Sequence, residues 1–278
     1  MMNRLKIAAI LMGSAALAAP AFGSSIGAVE ASYTGSNIFN VSIGTGSDPA
    51  AVVTAILSTP GTFNTVTYTN YASLVNDGTG SLDVYGSAAG LYTGYTPTVG
   101  DAITVTTAEY SPFHQLPELE KPSTGTYGIT LDSQHNIAPG AITATIEQMN
   151  VPTLPPTIAG YLVDLNNVSI NDSGAGDGTL PGSGLFGTSN LQLTVTDGTS
   201  SEELYYYPSS YSLANINLSA MQIPIGDQVD MVGIASVYPT GPAPEFIPMS
   251  ITVVPEPLSA GLMAIGSVAM LMRRRRTA

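Results

Sequence analysis

The amino-acid sequence predicts an all-β body of two tandem small β-barrels, preceded by an N-terminal signal helix and followed by a C-terminal hydrophobic helix. Three observations lead to this prediction. Motifs of the first half recur in the same order in the second half, Asp-Gly turns join β-prone runs, and the body lacks a convincing amphipathic helix. Ordered repetition indicates two copies of one structural unit, and Asp-Gly between β-prone runs is the strongest short hairpin signal.

The N-terminus has the order of features that defines an export signal. Arg4 and Lys6 precede an apolar run at 7–19, which is too short to span a bilayer comfortably. Small residues follow, so that signal peptidase could cut after Ala21 or after Gly23. We expect the second of these positions, which gives a signal peptide of residues 1–23.

The repeat is anchored by an Asp-Gly turn in each half. Residues 77–85 (DGTGSLDVY) align without a gap on 197–205 (DGTSSEELY). Two further pairs of segments follow in the same order, namely 99–101 with 225–227 and 117–119 with 244–246. We expect Asp77 and Asp197 to be turn formers whose side chains cap local backbone N–H groups, rather than metal ligands.

Strand patterns surround these anchors. The first strand of each copy is placed at 52–57 and at 161–170, and the alternation of apolar and polar residues at 103–106 and 229–232 is typical of half-buried strands. Residues 141–149 fit either a short helix or another strand.

Several short strands in each unit of roughly 100 residues fit a small closed barrel. The second copy resembles the OB-fold modules attached to bacterial secreted nucleases and surface proteins. The matching strings are GYLVDLNNVSI (160–170), LQLTVTDGT (191–199), IPIGDQVDMVGIASVY (223–238) and PEFIPMSI (244–251). The first copy matches this pattern less well, because its opening strand is hard to place.

The C-terminus combines a rigid motif, an apolar segment and a basic cluster. Val254, Pro255, Glu256 and Pro257 precede the apolar run 258–272, which Arg273, Arg274, Arg275 and Arg276 follow. The run is short for a full span, and the arginines would hold its end on the cytoplasmic side. These parts resemble the PEP-CTERM sorting signal, which implies recognition of the Pro-Glu-Pro motif by a membrane protease, exosortase. A simple C-terminal anchor is the alternative.

These features divide the chain into five segments. They are a signal peptide (1–23), a first OB-like domain (24–139), a linker (140–156), a second OB-like domain (157–253) and the sorting segment (254–278) with its transmembrane helix at 258–272.

The charge of the body excludes several classes of function. Between residues 24 and 254, Lys121 is the one Lys or Arg, and it stands against 19 of the 20 acidic residues, a formal charge of −18. Binding of a phosphate backbone depends on Lys and Arg displacing counterions, so we expect no nucleic acid as a partner. The chain has no Cys, which excludes disulfides, thiolate metal sites and Cys catalysis.

A cluster of tyrosines is the candidate ligand platform. Its members are Tyr205, Tyr206, Tyr207 and Tyr211. Tyrosines in strands favour β-structure and fill a barrel wall. Alternatively, their ring faces stack on a sugar while their hydroxyls form hydrogen bonds. Both interpretations remain open.

The sequence contains no assembled catalytic or metal site. The loop 171–178 carries carboxylates that suit Ca²⁺, but Gly174 and Gly176 occupy positions where an EF-hand needs ligands, so we interpret it as a flexible insertion. No G-x-S-x-G motif accompanies His114. Glu118 and Glu120 are placed on a Pro-flanked loop without glycosidase geometry. We therefore expect a non-enzyme without a cofactor, with Ca²⁺ as the one ion left open.

These observations predict an exported protein that is held briefly in the inner membrane by its C-terminal helix and ends at the cell surface or outside the cell. Its expected role is structural or adhesive, in association with an extracellular polysaccharide. Its other expected partners are the export machinery, signal peptidase and an exosortase-like protease. The alternative is an accessory OB-type binding module that assists a secreted hydrolase or nuclease.

Overall fold

The computed structural model of the protein describes residues 22–63, 66–112, 116–123, 127–149, 158–171, 191–206, 223, 226–238 and 243–254. This part of the chain is mostly β-structure with two short helices, which confirms the all-β prediction. The elements of the first half are β1 (Phe22–Gly23), α1 (Ile26–Ser32), β2 (Ile38–Ile43), β3 (Ala51–Ser58), β4 (Gly61–Phe63), β5 (Val66–Tyr68), β6 (Asn70–Asn76), β7 (Ser81–Ser87), β8 (Ala102–Tyr110), β9 (Glu118–Glu120) and β10 (Gly128–Ser133). Those of the second half are β11 (Ile142–Thr143), α2 (Ile146–Met149), β12 (Leu162–Asn171), β13 (Leu191–Thr196), β14 (Ser201–Tyr206), β15 (Gln228–Tyr238) and β16 (Ala243–Val253).

Five strands of the first half close into a ring, which we call barrel 1. Strand β3 pairs with β6, β6 with β7, and β8 with both β3 and β9, all antiparallel, while β7 and β9 are parallel. The ring encloses an apolar interior that includes Val53, Leu82, Val84, Ile103 and Leu119, each fully buried. Strand β10 adds to one edge of β8 outside the ring.

Five strands of the second half close in the same order and form barrel 2. Strand β12 pairs with β13, β13 with β14, and β15 with both β12 and β16, all antiparallel, while β14 and β16 are parallel. The two rings therefore have one topology. This supports the OB-like body that the sequence predicts.

The opening strand of the first copy differs from its predicted position. The structure contains the predicted strand within β3, but β2 also pairs with β8, with Ile43 opposite Val105. In barrel 2 a single strand, β12, covers the corresponding length of β15. The segment 44–50 separates β2 from β3 in the first copy. Its Gly, Asp and Pro residues are typical of a loop, so the sequence does not indicate that β2 and β3 together correspond to β12.

The short segments before each barrel also correspond. Strand β1 pairs in parallel with β2, and β11 pairs in parallel with β12. A short helix follows each of these strands. The segment 141–149 thus contains both a two-residue strand and a helical turn. Phe22 and Gly23, assigned to the signal peptide above, lie in β1, opposite Val41 and Ser42.

The apolar run 7–19 of the predicted signal helix and the predicted C-terminal helix at 258–272 both lie outside the described residues. Among the residues that the structure does describe, no helix has the length and apolar character needed to cross a membrane.

Candidate functional site: buried carboxyl groups where the barrels meet

The two barrels contact each other through the outer face of β6 and β7. Side chains alternate across a strand, so Leu82 and Val84 fill barrel 1 while Tyr85 lies on its outer face. A separate apolar cluster joins this face to barrel 2. Its buried members are Ala55, Leu57, Ala72, Leu74 and Leu116 from the first half and Ile234 and Ile247 from the second half.

The second half of the chain comes close to barrel 1 at the segment that leads into β12. A Cβ atom on Gly160 would lie 2.6 Å from the carbonyl oxygen of Ser81 and about 3 Å from the ring of Pro117. Gly160 also has a positive φ of 84°, which a residue with a side chain rarely adopts. We call the surface between the barrels the junction.

Two carboxyl groups lie side by side on the outer face at the junction. Asp83 on β7 is the register partner of Glu118 on the parallel strand β9. Asp83 is fully buried and Glu118 is 6% exposed. Burial raises the pKa of Glu118 well above its usual range, and the carboxylates of Asp83 and Glu120 raise it further. Desolvation and like charge both disfavour the ionised form of Glu118.

The structure corrects the interpretation of Glu118 and Glu120. The sequence placed them on a loop because prolines flank them at 117 and 122. They lie instead on β9, which closes barrel 1 between β7 and β8. This position moves Glu118 from solvent into the junction.

A third acidic residue, Glu30, is buried near the same end of barrel 1. It lies on α1 and is 7% exposed. Burial raises its pKa from 4.5 to about 8, the backbone N–H of Ser81 acts in the opposite direction, and the charge of Asp77 adds to the increase. Within the described part of the chain, Oε1 of Glu30 is buried and accepts no hydrogen bond. Glu30 is therefore protonated at neutral pH.

The turn between β6 and β7 fixes α1 in this position. Oδ2 of Asp77 accepts a hydrogen bond of 2.7 Å from the backbone N–H of Ile26, and Oγ1 of Thr79 accepts one of 3.0 Å from Gly27. These are backbone donors at the start of the helix that no helical carbonyl reaches. One aspartate thus shapes a turn and anchors the helix that carries Glu30.

Tyrosines border the acidic groups. Tyr110 in β8 packs edge-to-face on Tyr33, with 5.5 Å between ring centroids. Burial and then the charge of Glu30 raise the pKa of Tyr110. The pKa of Tyr161, just before β12, is raised by burial and by the charges of Glu30 and Asp77. Both the helix and the second half of the chain therefore face this end of barrel 1.

The described residues contain few basic side chains. Lys121 is the one Lys or Arg among them, and its ammonium nitrogen lies 5.1 Å from the ring centroid of Tyr127, a cation–π geometry. No group of three or more potential metal ligands occurs in the described ranges.

A second feature is a groove between α1 and β2 with a volume of about 330 Å³. Ile38, Phe39 and Val29 contribute to its apolar lining, and Phe39 is 56% exposed. Its polar contacts come from Ser24, Ser32 and Asn40. None of the described side chains that line it is titratable.

Most of the predicted site residues lie outside the described residues. Of the sorting motif, Val254 is described, at the end of β16, while Pro255, Glu256, Pro257 and the arginines at 273–276 are not. Tyr205 and Tyr206 have backbone positions in β14 without described side chains, and Tyr207 and Tyr211 fall outside. His114 and all of the loop 171–178 except Asn171 also fall outside.

The sequence analysis did not predict the buried carboxyl groups of Asp83 and Glu30. Asp83 was treated only as part of the aligned string 77–85, and Glu30 was not singled out. An available signal was the alternation in 81–85 (SLDVY), which places Asp83 on the face opposite Leu82 and Val84. What covers that face could not be inferred from the strand alone.

Neither the protein-family models nor the curated proteins give a match to this sequence. Solved structures with a similar arrangement of strands exist. The p202 HIN1 domain in complex with 12-mer double-stranded DNA is 12% identical and has a TM-score of 0.38, and the match covers 80% of this chain and 98% of that one. A murine DNA-binding protein bound with double-stranded DNA is 12% identical with a TM-score of 0.40, covering 74% and 97%. The Ifi202 HINa domain with 20-bp double-stranded DNA is 13% identical with a TM-score of 0.36, covering 79% and 98%.

These neighbours contradict the expectation that nucleic acid is excluded as a partner, since three of them were solved with DNA. The exclusion rested on the summed charge of the body. A summed charge describes long-range repulsion, whereas hydrogen bonds and base stacking act locally on one surface. We withdraw the exclusion. Similarity at this level concerns the fold and assigns no ligand to this chain.

Proposed function

We propose that the protein is exported, processed at its C-terminus by an exosortase-like membrane protease, and acts as a non-enzymatic structural or adhesive component at the cell surface or in the extracellular matrix. The observation that carries this proposal is the order of segments at the C-terminus. A Val-Pro-Glu-Pro motif, a short apolar run and four arginines follow directly on the last strand of barrel 2.

The end of the fold is compatible with removal of this segment. Strand β16 ends at Val253, and the backbone N–H of Val254 donates a 2.9 Å hydrogen bond to the carbonyl oxygen of Gln228. All strands of barrel 2 therefore precede Pro255. Cleavage near Pro257 would remove no residue of the ring, so the body could be released folded.

Fractionation of the native host followed by intact-mass measurement tests this proposal. We expect extracellular or surface material that has lost the N-terminal signal and residues 273–276. The Pro255→Ala/Pro257→Ala double variant should stay in the membrane with its arginines attached. Thr277→Ala, beyond the arginine run, is the control and should be processed normally. Extracellular protein that retains residues 273–276 would contradict the proposal.

We further propose an extracellular polysaccharide as the partner. Binding of the mature protein to a glycan array, with and without Ca²⁺, tests this point. If the tyrosine cluster is a platform, Tyr206→Ala or Tyr211→Ala should weaken binding by about 1 kcal/mol or less. If these tyrosines belong to a barrel wall, the same variants should lower Tm and leave binding unchanged. Absence of glycan binding, together with stimulation of a co-secreted hydrolase, would favour the accessory module.

A further inference from the structure

The segment that precedes barrel 1 repeats the segment that precedes barrel 2. Strand β1, Ser25 and helix α1 follow one another with the same spacing as β11, Thr145 and α2, and each begins 120 residues before its counterpart. Asp77 and Asp197 are separated by the same 120 residues. The repeat that is visible in the Asp-Gly turns therefore extends back to Phe22.

The two helices begin in the same way. The hydroxyl oxygens of Ser25 and Thr145 each accept a hydrogen bond from the backbone N–H three residues later, at 3.4 and 3.2 Å respectively. Such a bond satisfies one of the free donors at the start of a helix. The next residues, Ile26 and Ile146, are both fully buried, each in the core cluster of its own barrel. The two helices therefore pack on the two barrels in equivalent positions.

Strands β1 and β11 also end in the same contact. The backbone N–H of Ser24, directly after β1, donates a 3.1 Å hydrogen bond to the carbonyl oxygen of Ser42 in β2. The backbone N–H of Ala144, directly after β11, donates one of 3.2 Å to the carbonyl oxygen of Asp164 in β12. Ser42 and Asp164 are equivalent, since the next residue in each strand lies opposite the same position of β8 and β15. Strand β1 is therefore part of the fold of barrel 1, as β11 is part of the fold of barrel 2.

Removal of β1 would expose one edge of β2. On that edge Phe22 and Gly23 pair with Val41 and Ser42, while β8 pairs with the other edge. Val41 and Ser42 are 3% and 6% exposed, and their backbone groups need partners. A cut after Gly23 would remove both residues of β1 and convert the backbone N–H of Ser24 into a charged amino group. A cut two residues earlier would leave every one of these contacts in place.

We propose that signal peptidase cuts between Ala21 and Phe22, so that the mature protein begins with β1. This inference rests on the proposed function, because it requires export. The sequence 19–21 (APA) places small residues first and third before the cut, as the peptidase needs. In this hydrolysis water adds to the carbonyl carbon of Ala21 and the bond to the nitrogen of Phe22 breaks. Ala21 receives a carboxylate and Phe22 an amino group.

Ala19 and Gly23 allow the two cleavage sites to be separated. Ala19 is the third residue before a cut after Ala21, and Gly23 is the first residue before a cut at its own position. A bulky residue at either position blocks one of the two sites, whereas Ala21 is required for both. Ala19→Leu and Gly23→Leu are therefore matched variants of the full precursor.

The measurement is the N-terminal residue of the exported protein in the native host, obtained by sequencing and by mass spectrometry of the N-terminal peptide. We expect the native chain and Gly23→Leu to begin at Phe22. Ala19→Leu should lose at least about tenfold of the protein that begins at Phe22 and should accumulate as precursor or as protein that begins at Ser24. If neither variant yields folded protein, the N-terminus of the native chain decides the site by itself.

A second measurement tests whether β1 stabilises the mature fold. Deletion of residues 22 and 23 keeps the cleavage sequence 19–21 and gives a mature protein that begins at Ser24. Since the pairing of β1 with β2 is lost, this protein should have a Tm lower than that of the native mature protein by about 4 °C or more. In the native mature protein the Ser24 amide, which is hydrogen-bonded to Ser42, should exchange with solvent at least about tenfold more slowly than in the unfolded chain.

The outcomes separate this inference from the proposed function. Exported native protein that begins at Ser24 would overturn the inference and leave export intact. Exported protein that keeps residues 1–21, or a chain that is not exported, would contradict the proposed function and this inference with it. An unchanged Tm after deletion of residues 22 and 23, together with rapid exchange at Ser24, would overturn the role of β1 in the mature fold.

Discussion

Oδ1 of Asp77 and Oδ1 of Asp197 accept the same three hydrogen bonds in the two halves of the protein. Each accepts hydrogen bonds from the backbone N–H and from the hydroxyl of the Thr two residues later, at 2.8 and 2.7 Å respectively in both halves. The third donor is the backbone N–H of Gly80, at 3.1 Å, or of Ser200, at 2.8 Å. Such agreement between turns 120 residues apart confirms that both copies fold in the same way at this point.

The first prediction follows from an additional hydrogen bond that Asp77 accepts outside its own turn. Oδ2 of Asp77 also accepts the N–H of Ile26. Asp77→Ala therefore loses the turn and the helix anchor together and should lower the free energy of unfolding by about 2 kcal/mol. Asp197→Ala, in a fully exposed turn, should cost clearly less. Urea unfolding of both variants measures the difference, and equal losses would contradict the role given to Asp77 at α1.

Asp197 supplies a second prediction, about acid titration. Hydrogen bonds from Ser200 and Thr199 hold its pKa below the usual value of 3.8. A depressed folded pKa stabilises the fold above the unfolded value, and this contribution disappears as pH falls through the folded value. Titration of the Asp197 carboxyl carbon by NMR should therefore give a midpoint below 3.8. Thr199→Val, which removes the hydroxyl donor, should raise the midpoint, whereas Thr199→Ser should leave it nearly unchanged.

The turns and the order of the anchors could be predicted from sequence because their chemistry is local. Asp, Gly and Thr within three residues specify the turn wherever it occurs. The junction could not be predicted, because it depends on residues distant in sequence. Asp83 meets Glu118 only when β7 and β9 pair, and both side chains are buried in the folded protein. The prolines beside Glu118 also favoured a loop, although Pro is compatible with the start of a short strand.

The third prediction concerns Glu30, whose pKa is raised to about 8. A raised folded pKa means that stability is greatest below the unfolded value, near 4.5, and falls as pH rises toward 8. Glu30→Gln cannot ionise and should escape this loss. We expect it to be slightly less stable than the native chain at pH 5 and more stable at pH 8.5 by roughly 2–4 kcal/mol. Urea unfolding at the two pH values checks this, with Glu147→Gln as the control.

A fourth prediction compares two equivalent glycines. Gly100 and Gly226 both have a φ of 90°, so alanine at either position is strained by about 1 kcal/mol. Their surroundings differ, because a Cβ on Gly100 would lie 2.8 Å from the carbonyl oxygen of Asn136, whereas nothing described lies within 4 Å of one on Gly226. Gly100→Ala should therefore lower Tm more than Gly226→Ala. Similar shifts in thermal unfolding would show that the loop at Asn136 yields easily.

The last prediction compares two equivalent positions of β8 and β15 that have different surroundings. In the alignment of the Gly-Asp anchors, Thr107 of β8 is equivalent to Gly233 of β15. Thr107 has a φ of 52°, which is unusual for a β-branched residue. The register of β15 against β16 shifts between Val232 and Gly233. A Cβ on Gly233 would overlap the carbonyl oxygen of Ile247 and lie 2.7 Å from the ring of Phe246.

Gly233→Ala should consequently lower the free energy of unfolding by about 3 kcal/mol, because backbone and a fully buried ring would have to move. Thr107→Gly should change it by less than about 1 kcal/mol, because relief of the positive φ is offset by the larger entropy of glycine in the unfolded chain. Denaturant unfolding of both variants decides the point. A small effect of Gly233→Ala would mean that β15 can shift its register against β16, and the position of Gly233 would then not fix how Ile234 and Ile247 meet barrel 1.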